Sequence, residues 1–284
     1  MEPKFSYIDD NCHHLFIDES GDKNYEININ SNTLFFSLSG LLVNGDILIK
    51  EFIPKCKKIK NKLYNDENII FHFSDMLVAK NNFKKYEDEL ILKEDLEYIF
   101  ENIRNIEFKI FLIHIDKQKM KNIYIKPADP YEISSTFLME RTSMFLCNSN
   151  INNKNIRVWF ESRTKKDDQT LKKYMINEIK LPKDILFQRT NFPRYEYSIQ
   201  NIRSFKWHFH SLPKDPKRLD LKYYKYEIGF DLIQILHITD LIVSIRRGYI
   251  ENKTYKKFKN EKIKNINYIL ENTIYNKIEE KIFP

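Results

Sequence analysis

The stretch His14-Leu15-Phe16-Ile17-Asp18-Glu19-Ser20-Gly21-Asp22 decides the fold, because a short apolar run ends abruptly in carboxylates. The run 15–17 is typical of a buried β-strand, and Gly21 marks the turn that ends it. Burying carboxylates without partners is costly, so a buried strand has no structural need of acids at its end. The three acids of the stretch can gather a divalent cation, although Asp, Ser and Gly are also ordinary residues of a solvated turn.

The composition is that of a folded globular protein. The chain has 284 residues, of which 42% are hydrophobic and 14% aromatic. It has no apolar run long enough for a membrane span and no secretory signal pattern. Its three cysteines are odd in number and widely separated, which fits neither a disulfide framework nor a zinc site. We therefore expect a single domain over 1–284 in a reducing, cytoplasmic location, with no membrane partner. The sequence does not indicate an oligomeric state.

The charge balance is basic, with a net charge of +7. Only 10 of the 47 basic residues are arginine, the preferred side chain for bidentate phosphate contacts, so the balance permits a polyanionic partner without demonstrating one. Lysine-rich runs such as 55–60 are interpreted as solvated helix faces. Only five glycines are present, and no glycine-rich phosphate loop is among them. This argues against a P-loop nucleotide hydrolase or a dinucleotide-binding enzyme.

Strand-like and helix-like segments alternate, which favours an α/β architecture. After the first strand, further strands are predicted over 34–43, 108–116 and 156–161, with weaker ones over 195–199 and 204–209. Helices are predicted over 46–63, 88–103, 131–147, 167–179 and 228–246. The remaining segment, 251–284, is predicted to be a peripheral helical tail. His208 and His210 have a spacing that suits zinc ligands, but they are interpreted as surface histidines because no partner pair is present.

Acids recur where apolar segments would not require them. Glu161 ends the strand 156–161, and like ends of neighbouring parallel strands form the rim where α/β proteins bind ligands. Asp240 interrupts the apolar helix 238–243, and Glu140 has similar apolar neighbours, so each needs a donor, a basic group or a cation. A structural ion pair would explain each acid singly. Together, they favour a metal cluster.

Four short segments carry a resemblance to a known family. They are Phe16-Ile17-Asp18-Glu19-Ser20-Gly21, Phe71-His72-Phe73-Ser74-Asp75-Met76, Phe160-Glu161-Ser162-Arg163 with Asp167-Asp168 behind it, and Thr239-Asp240-Leu241-Ile242 with Arg246-Arg247. In this order they resemble the motifs of the uncharacterised "domain of unknown function 3800" family, which is regarded as ribonuclease H-like and is often linked to mobile elements and phage defence. The chain departs from that pattern at His237, where members carry Gln, and at Thr164, where they carry Gly.

The resemblance implies a ribonuclease H-like mixed sheet flanked by helices, with helical insertions. It also implies one acid from the first strand, one from the fourth strand and one from the last helix. Asp18, Glu161 and Asp240 fill these places, and Glu140 fits a fourth place on the helix before the fourth strand. The residues that would support these acids or serve as alternative ligands are Glu19, Asp168 and His237.

The chemistry that follows from these acids is two-metal phosphoryl transfer. Carboxylate ligands suit Mg²⁺ or Mn²⁺ better than zinc. Arg163 and Arg246 are expected to stabilise charge, and His72 is expected to be a packed residue on an aromatic strand or a support of the site. We expect a metal-dependent phosphodiesterase, a nuclease acting on RNA or DNA. The alternatives are a catalytically weak nucleic-acid- or protein-binding module of a phage-defence or toxin system, and a hydrolase of a small phosphate ester or nucleotide.

Overall fold

A six-stranded mixed β-sheet with helices on both faces forms the centre of this computed structural model. The structure describes residues 12–25, 33–149, 151, 153–161, 169, 172–176, 201–212, 226–255 and 260–284, with side chains of the long helix described from 231. The strands are β1 His13–Ser20, β2 Phe35–Asn44, β3 Lys109–Asp116, β4 Asn155–Glu161, β5 Lys206–Leu212 and β6 Ile278–Phe283. The α-helices whose bounds lie within the described ranges are α1 Gly45–Ile47, α2 Ile53–Tyr64, α3 Phe73–Leu77, α4 Glu89–Ile103, α5 Lys117–Ile123, α6 Pro130–Asn148, α7 Tyr226–Thr254 and α8 Glu261–Thr273. Residues 172–176 and 201–204 are helical as well.

The strand order is β5-β4-β1-β2-β3-β6. β2 is antiparallel to both of its neighbours, whereas β4 is parallel to β1, β5 to β4, and β6 to β3. Every strand except β2 therefore points in the same direction. The carboxyl ends of these five strands lie at the same end of the sheet. The mixed α/β architecture expected from the alternating sequence pattern is confirmed.

The two faces of the sheet are covered by different helices. Successive side chains of a strand point to opposite faces, so β1 sends Leu15 and Ile17 into the core beneath α6, and Phe16 into the core beneath α7. Both faces are buried, and this explains why β1 is a continuous apolar run rather than an alternating one. Side chains at even positions of β1 therefore face α7, and this determines where Asp18 points.

The long helix α7 packs across β1 and β2, and α8 packs on α7. Its apolar residues occur on all sides because it lies between the sheet and α2, α3 and α8. A helix that is surrounded in this way buries any ionisable residue that it carries, which makes the polar positions of α7 informative. None of the helices in the described ranges is long and apolar enough to cross a membrane.

The C-terminal segment differs from the expected peripheral helical tail. α8 is a helix, but residues 278–283 form β6, which pairs with β3 and extends the sheet. Ile263, Ile266 and Leu270 of α8 are buried in the core beneath α7. The four-residue spacing of these apolar side chains predicts the helix, while the strand after it is too short to give a periodic signal.

The segment around His72 also differs from the prediction. It does not form an aromatic strand: Phe71 is buried, and His72 stands at the N-cap position of the short helix α3. Most of the predicted helix 167–179 and all of the predicted strand 195–199 lie outside the described residues.

Candidate functional site

The end of β1 places Asp18 beneath α7. Asp18 is buried, lies opposite Ser39 of β2, and its Oδ1 accepts a hydrogen bond from the Glu19 backbone N–H at 2.9 Å. Gly21 then turns the chain with a φ of 95°, and a Cβ atom there would lie 2.2 Å from the Phe35 carbonyl oxygen. The turn after the two acids therefore requires glycine.

Glu161 lies beside Asp18 at the same end of the neighbouring strand. The parallel register between β1 and β4 runs to the pair Ile17 and Phe160, so Asp18 and Glu161 occupy the next position along the two strands. Phe16 and Trp159 face α7, and by alternation the two acids face α7 as well. Neighbouring strands lie about 4.8 Å apart, so these two carboxylates occupy adjacent positions on one face of the sheet.

Asp240 reaches the end of β1 from α7 through two serines. Its Oδ1 accepts a hydrogen bond from the Ser244 hydroxyl at 3.2 Å, and the oxygens of Ser244 and Ser20 are 3.1 Å apart. Its Oδ2 accepts the backbone N–H of Phe73 at 3.0 Å, so Asp240 also fastens the start of α3 to α7. The structure thus brings acids from β1, β4 and α7 to one region of the α7 face.

One stripe of α7 faces the end of β1. Asp240, Ser244, Arg247 and Glu251 are spaced four, three and four residues apart, which places them on the same side of a helix. The Nε of Arg247 donates to Ser20 Oγ at 2.8 Å, and its Nη1 donates to Glu251 at 2.7 Å. Arg247 is therefore the cationic side chain next to the acids. The sequence motif contains both Arg246 and Arg247, and the charge-stabilising role was predicted for Arg246, although the helical spacing from Asp240 indicates Arg247.

Arg246 points away from this stripe. It forms ion pairs with Glu271 of α8 at 2.8 Å and with Glu280 of β6 at 2.7 Å. Glu280 also accepts a hydrogen bond from the buried His114 at 3.0 Å. Because Arg246 of α7 pairs with a carboxylate of α8 and a carboxylate of β6, it holds these three elements together.

His237 contacts a buried lysine that the sequence did not mark. The Nζ of Lys60 lies 2.7 Å from His237 Nδ1 and 4.8 Å from the centre of the Phe71 ring. Lys60 has an exposed fraction of 0%, so the interpretation of the run 55–60 as a solvated face is wrong for this residue. Burial lowers the pKa of the Lys60 amine to about 7. When charged, Lys60 donates to Nδ1, and the ring proton of His237 then resides on Nε2.

The other predicted residues lie elsewhere. Glu140 is on α6, on the opposite face of the sheet, where its charge acts on Lys281 of β6. Glu19 alternates with Asp18 and therefore faces α6 as well. His72 is partly exposed and lies 3.4 Å from Asp75 within α3. Glu140 and Glu19 are thus on the other face of the sheet from Asp18, Glu161 and Asp240, whereas His72 directly precedes Phe73, whose backbone N–H binds Asp240. Arg163 and Asp168 lie outside the described residues.

The donor set of the α7 face consists of carboxylates and hydroxyls, which are the hard oxygen ligands that suit Mg²⁺ or Mn²⁺. Among the residues that the structure describes, no three His, Cys, Asp or Glu side chains are already arranged as a metal site. The chain matches no protein-family model, and no curated protein matches it. Functional interpretation therefore depends on the geometry of the site and on the motif resemblance.

Proposed function

We propose that the protein is a metal-dependent phosphodiesterase with a ribonuclease H-like fold, and that it is a nuclease acting on RNA or DNA. The observation that carries the proposal is the convergence of Asp18, Glu161 and Asp240. Two of these acids occupy adjacent register positions at the ends of parallel strands, and the third is linked to the same strand end through Ser244 and Ser20. Ligand sites of α/β proteins lie at such strand ends.

The fold supports the ribonuclease H-like part of the proposal. The resemblance implies acids on the first strand, the fourth strand and the last helix. Asp18 and Glu161 occupy the first two places, whereas Asp240 lies on α7, which α8 follows. The sheet has three antiparallel strands, β1 to β3, followed by β4 and β5 parallel to the first. Glu140 is the exception, because it lies on the α6 face.

Each residue of the proposed site has a role that follows from its position. Asp18, Glu161 and Asp240 would hold Mg²⁺ or Mn²⁺, which when bound activates water and stabilises charge on the phosphate. Arg247 lies beside Ser20, where its guanidinium can pair with a phosphate oxygen of the substrate. Asp18 and Asp240 are buried and Glu161 is half-buried, so bulk water is largely excluded from the first two acids and their electrostatic interactions are strengthened.

The test is cleavage of a substrate panel with Mg²⁺ or Mn²⁺. We expect the wild-type protein to cleave labelled RNA, single-stranded DNA or duplex DNA, and Asp18→Asn and Asp240→Asn to lower the rate by at least about 100-fold. Asp46→Asn is the matched control, because Asp46 is an exposed acid at the opposite end of the sheet. A small phosphodiester in the panel tests the alternative substrate class. Cleavage that persists in both site variants contradicts the proposal.

One observation favours the second candidate, a catalytically weak nucleic-acid- or protein-binding module. Asp240 accepts hydrogen bonds from Phe73 N–H and Ser244, and this gives it a structural role in holding α3. If that role were sufficient to explain Asp240, no metal-dependent cleavage would occur. Tight binding of nucleic acid without turnover in the assay above would support this candidate.

A further inference from the structure

A row of basic residues, called here the cationic strip after its Arg and Lys members, lies along β4 and β5 on the same face of the sheet as the acids. The parallel register pairs Arg157 with His208 and Trp159 with His210, and side chains in register point to the same face. Because Trp159 faces α7, the cationic strip faces the same side. The strip consists of Arg157, Lys206, His208 and His210.

The outer part of the cationic strip is open to solvent. Lys206 and His208 are exposed, while His210 is half-buried. α7 packs on β1 and β2, which are further along the sheet from β5, and these exposed positions lie at the opposite edge from α8 and β6. A ligand can therefore approach the strip along the edge strand.

The described residues whose charge acts on His210 are basic. Burial lowers the pKa of His210 to about 4, and the charged neighbours that lower it further are Arg157, His208 and Lys172. Lys172 is exposed and lies in the short helical stretch 172–176. Basic side chains gathered on one surface attract a polyanion electrostatically.

The strip also contains an aromatic platform. The ring of His210 stacks on the buried ring of Trp159 with centroids 4.6 Å apart and an angle of 25° between the planes. Trp159 is held in turn by a hydrogen bond from its Nε1 to His14 Nδ1 at 2.9 Å. The partly buried ring of His210 is fixed in this way beside basic groups, and aromatic rings next to basic groups are what proteins use to bind single strands.

We propose that the cationic strip binds a single strand of nucleic acid and leads it to the acids at the ends of β1 and β4. Arg157 precedes Glu161 by four residues on the same strand, so the two side chains lie about 13 Å apart along one face. A bound strand thus reaches from the strip to the proposed metal site within a few nucleotides. This inference rests on the proposed function and identifies single-stranded nucleic acid as its substrate.

The experiment measures binding without cleavage. Fluorescence anisotropy of labelled oligouridylate, oligothymidylate and a DNA duplex is recorded in EDTA with the wild type, Lys206→Glu/His208→Glu and Lys264→Glu. Lys264 is the control for reversing one exposed lysine, because it lies on α8, which packs on α7 and α4 rather than on β5. We expect the double variant to bind single strands at least about tenfold more weakly and with a shallower salt dependence, since phosphate contacts release counterions. The control should bind as the wild type does.

The outcomes separate this inference from the proposed function. Loss of binding in the double variant alone supports the strip, even if the wild type cleaves nothing. The inference is overturned if the wild type binds no nucleic acid or prefers the duplex, or if the double variant binds like the control. If the double variant cleaves as efficiently as the wild type at substrate concentrations below saturation, the proposed role of the strip is also contradicted. That result would not contradict the proposed metal site. Thermal unfolding of the double variant should match the wild type, because both positions are exposed.

Discussion

Two buried basic side chains, one on α7 and one packed against it, differ in whether carboxylates surround them. Arg246 lies between the carboxylates of Glu271 and Glu280, and its Nη1 also donates to Asn267. Lys60 contacts the imidazole of His237 and the face of Phe71, and no described carboxylate forms an ion pair with it. Burial acts on both cations, but the two carboxylates raise the pKa of Arg246 despite it, whereas burial lowers the pKa of Lys60 to about 7.

Arg246 is a charge that stabilises the fold, whereas a charge on Lys60 destabilises it. The charges around Arg246 neutralise one another and join three elements, so that cluster is explained by stability alone. Lys60 is buried without that compensation, one helical turn from Asp240 through His237. Perturbed ionisable groups of this kind concentrate at functional sites. The comparison therefore favours function where α2 packs on α7 near Asp240, and stability where α7 joins α8 and β6.

The largest expected effect comes from breaking the Arg246 cluster. Arg246→Met leaves Glu280 buried without its cation, and we expect the free energy of unfolding at pH 7 to fall by about 3 kcal/mol. Urea denaturation measures the change. Arg104→Met is the control, since its pair with Glu101 is exposed and should contribute less than about 0.5 kcal/mol. Equal effects of the two variants would contradict the structural role of Arg246.

The next effect has the opposite sign. Lys60→Met removes a buried amine, and we expect stability at pH 7 to rise by about 2 kcal/mol. Because the pKa of Lys60 is about 7 in the fold and 10.5 in the unfolded chain, the unfolded state binds more protons between these values. Wild-type stability should rise across that window, so the gain from Lys60→Met should shrink towards pH 10. A gain that does not depend on pH, or a loss of stability at pH 7, would contradict the claim that the charge on Lys60 destabilises the fold.

The stability of the protein at acid pH tests the role of Glu280, which pairs with Arg246. Burial opposes ionisation of Glu280, but hydrogen bonds from His114 and Arg246 lower its pKa from 4.5 to about 2. Its stabilisation is complete above 4.5 and is lost as the pH falls towards 2, an expected change of about 1–2 kcal/mol. Glu280→Gln should be less stable at pH 7 and should lose less stability over that range. Unfolding curves recorded at pH 5, 4 and 3 check this, and parallel losses in both proteins would count against it.

The smallest effect concerns the link between α7 and β1. Ser244→Ala removes the hydroxyl between Asp240 and Ser20, and we expect a loss of about 1 kcal/mol in unfolding free energy. If that hydroxyl orients Asp240 for metal binding, the variant should also weaken the affinity for Mn²⁺. Thr273→Ala is the control, because its hydroxyl bonds only within α8. A stability loss without any change in Mn²⁺ affinity would limit Ser244 to a structural role.

The sequence predicted the main elements because their signals are local. The continuous apolar run of β1 and the long apolar α7 are visible in any short window, and the acids at 18, 161 and 240 stand out against them. Burial of Lys60 was not predictable, because it depends on how α2 packs on α7 rather than on the neighbours of Lys60 in the chain. The same reason applies to Glu140: its apolar neighbours indicated burial, but only the sheet topology assigns α6 to the other face.

Arg246 and Arg247 show a signal that was present but easily missed. Both follow Asp240 on one helix. Arg247, seven residues after Asp240, lies on the same side of the helix as Asp240, whereas Arg246, six residues after it, does not. β6 gave too little signal, since six residues with two glutamates and a lysine resemble the polar helix before them. Long-range pairing with β3 determines its structure.

Binding of Mn²⁺ tests the central claim most directly, because it does not depend on knowing the substrate. Electron paramagnetic resonance reports free Mn²⁺ as the protein is titrated with the ion. We predict saturable uptake by the wild type and by Asp46→Asn, and loss of that uptake in Asp18→Asn and Asp240→Asn. Uptake that is absent from the wild type, or unchanged in both site variants, would contradict a metal site at the ends of β1 and β4.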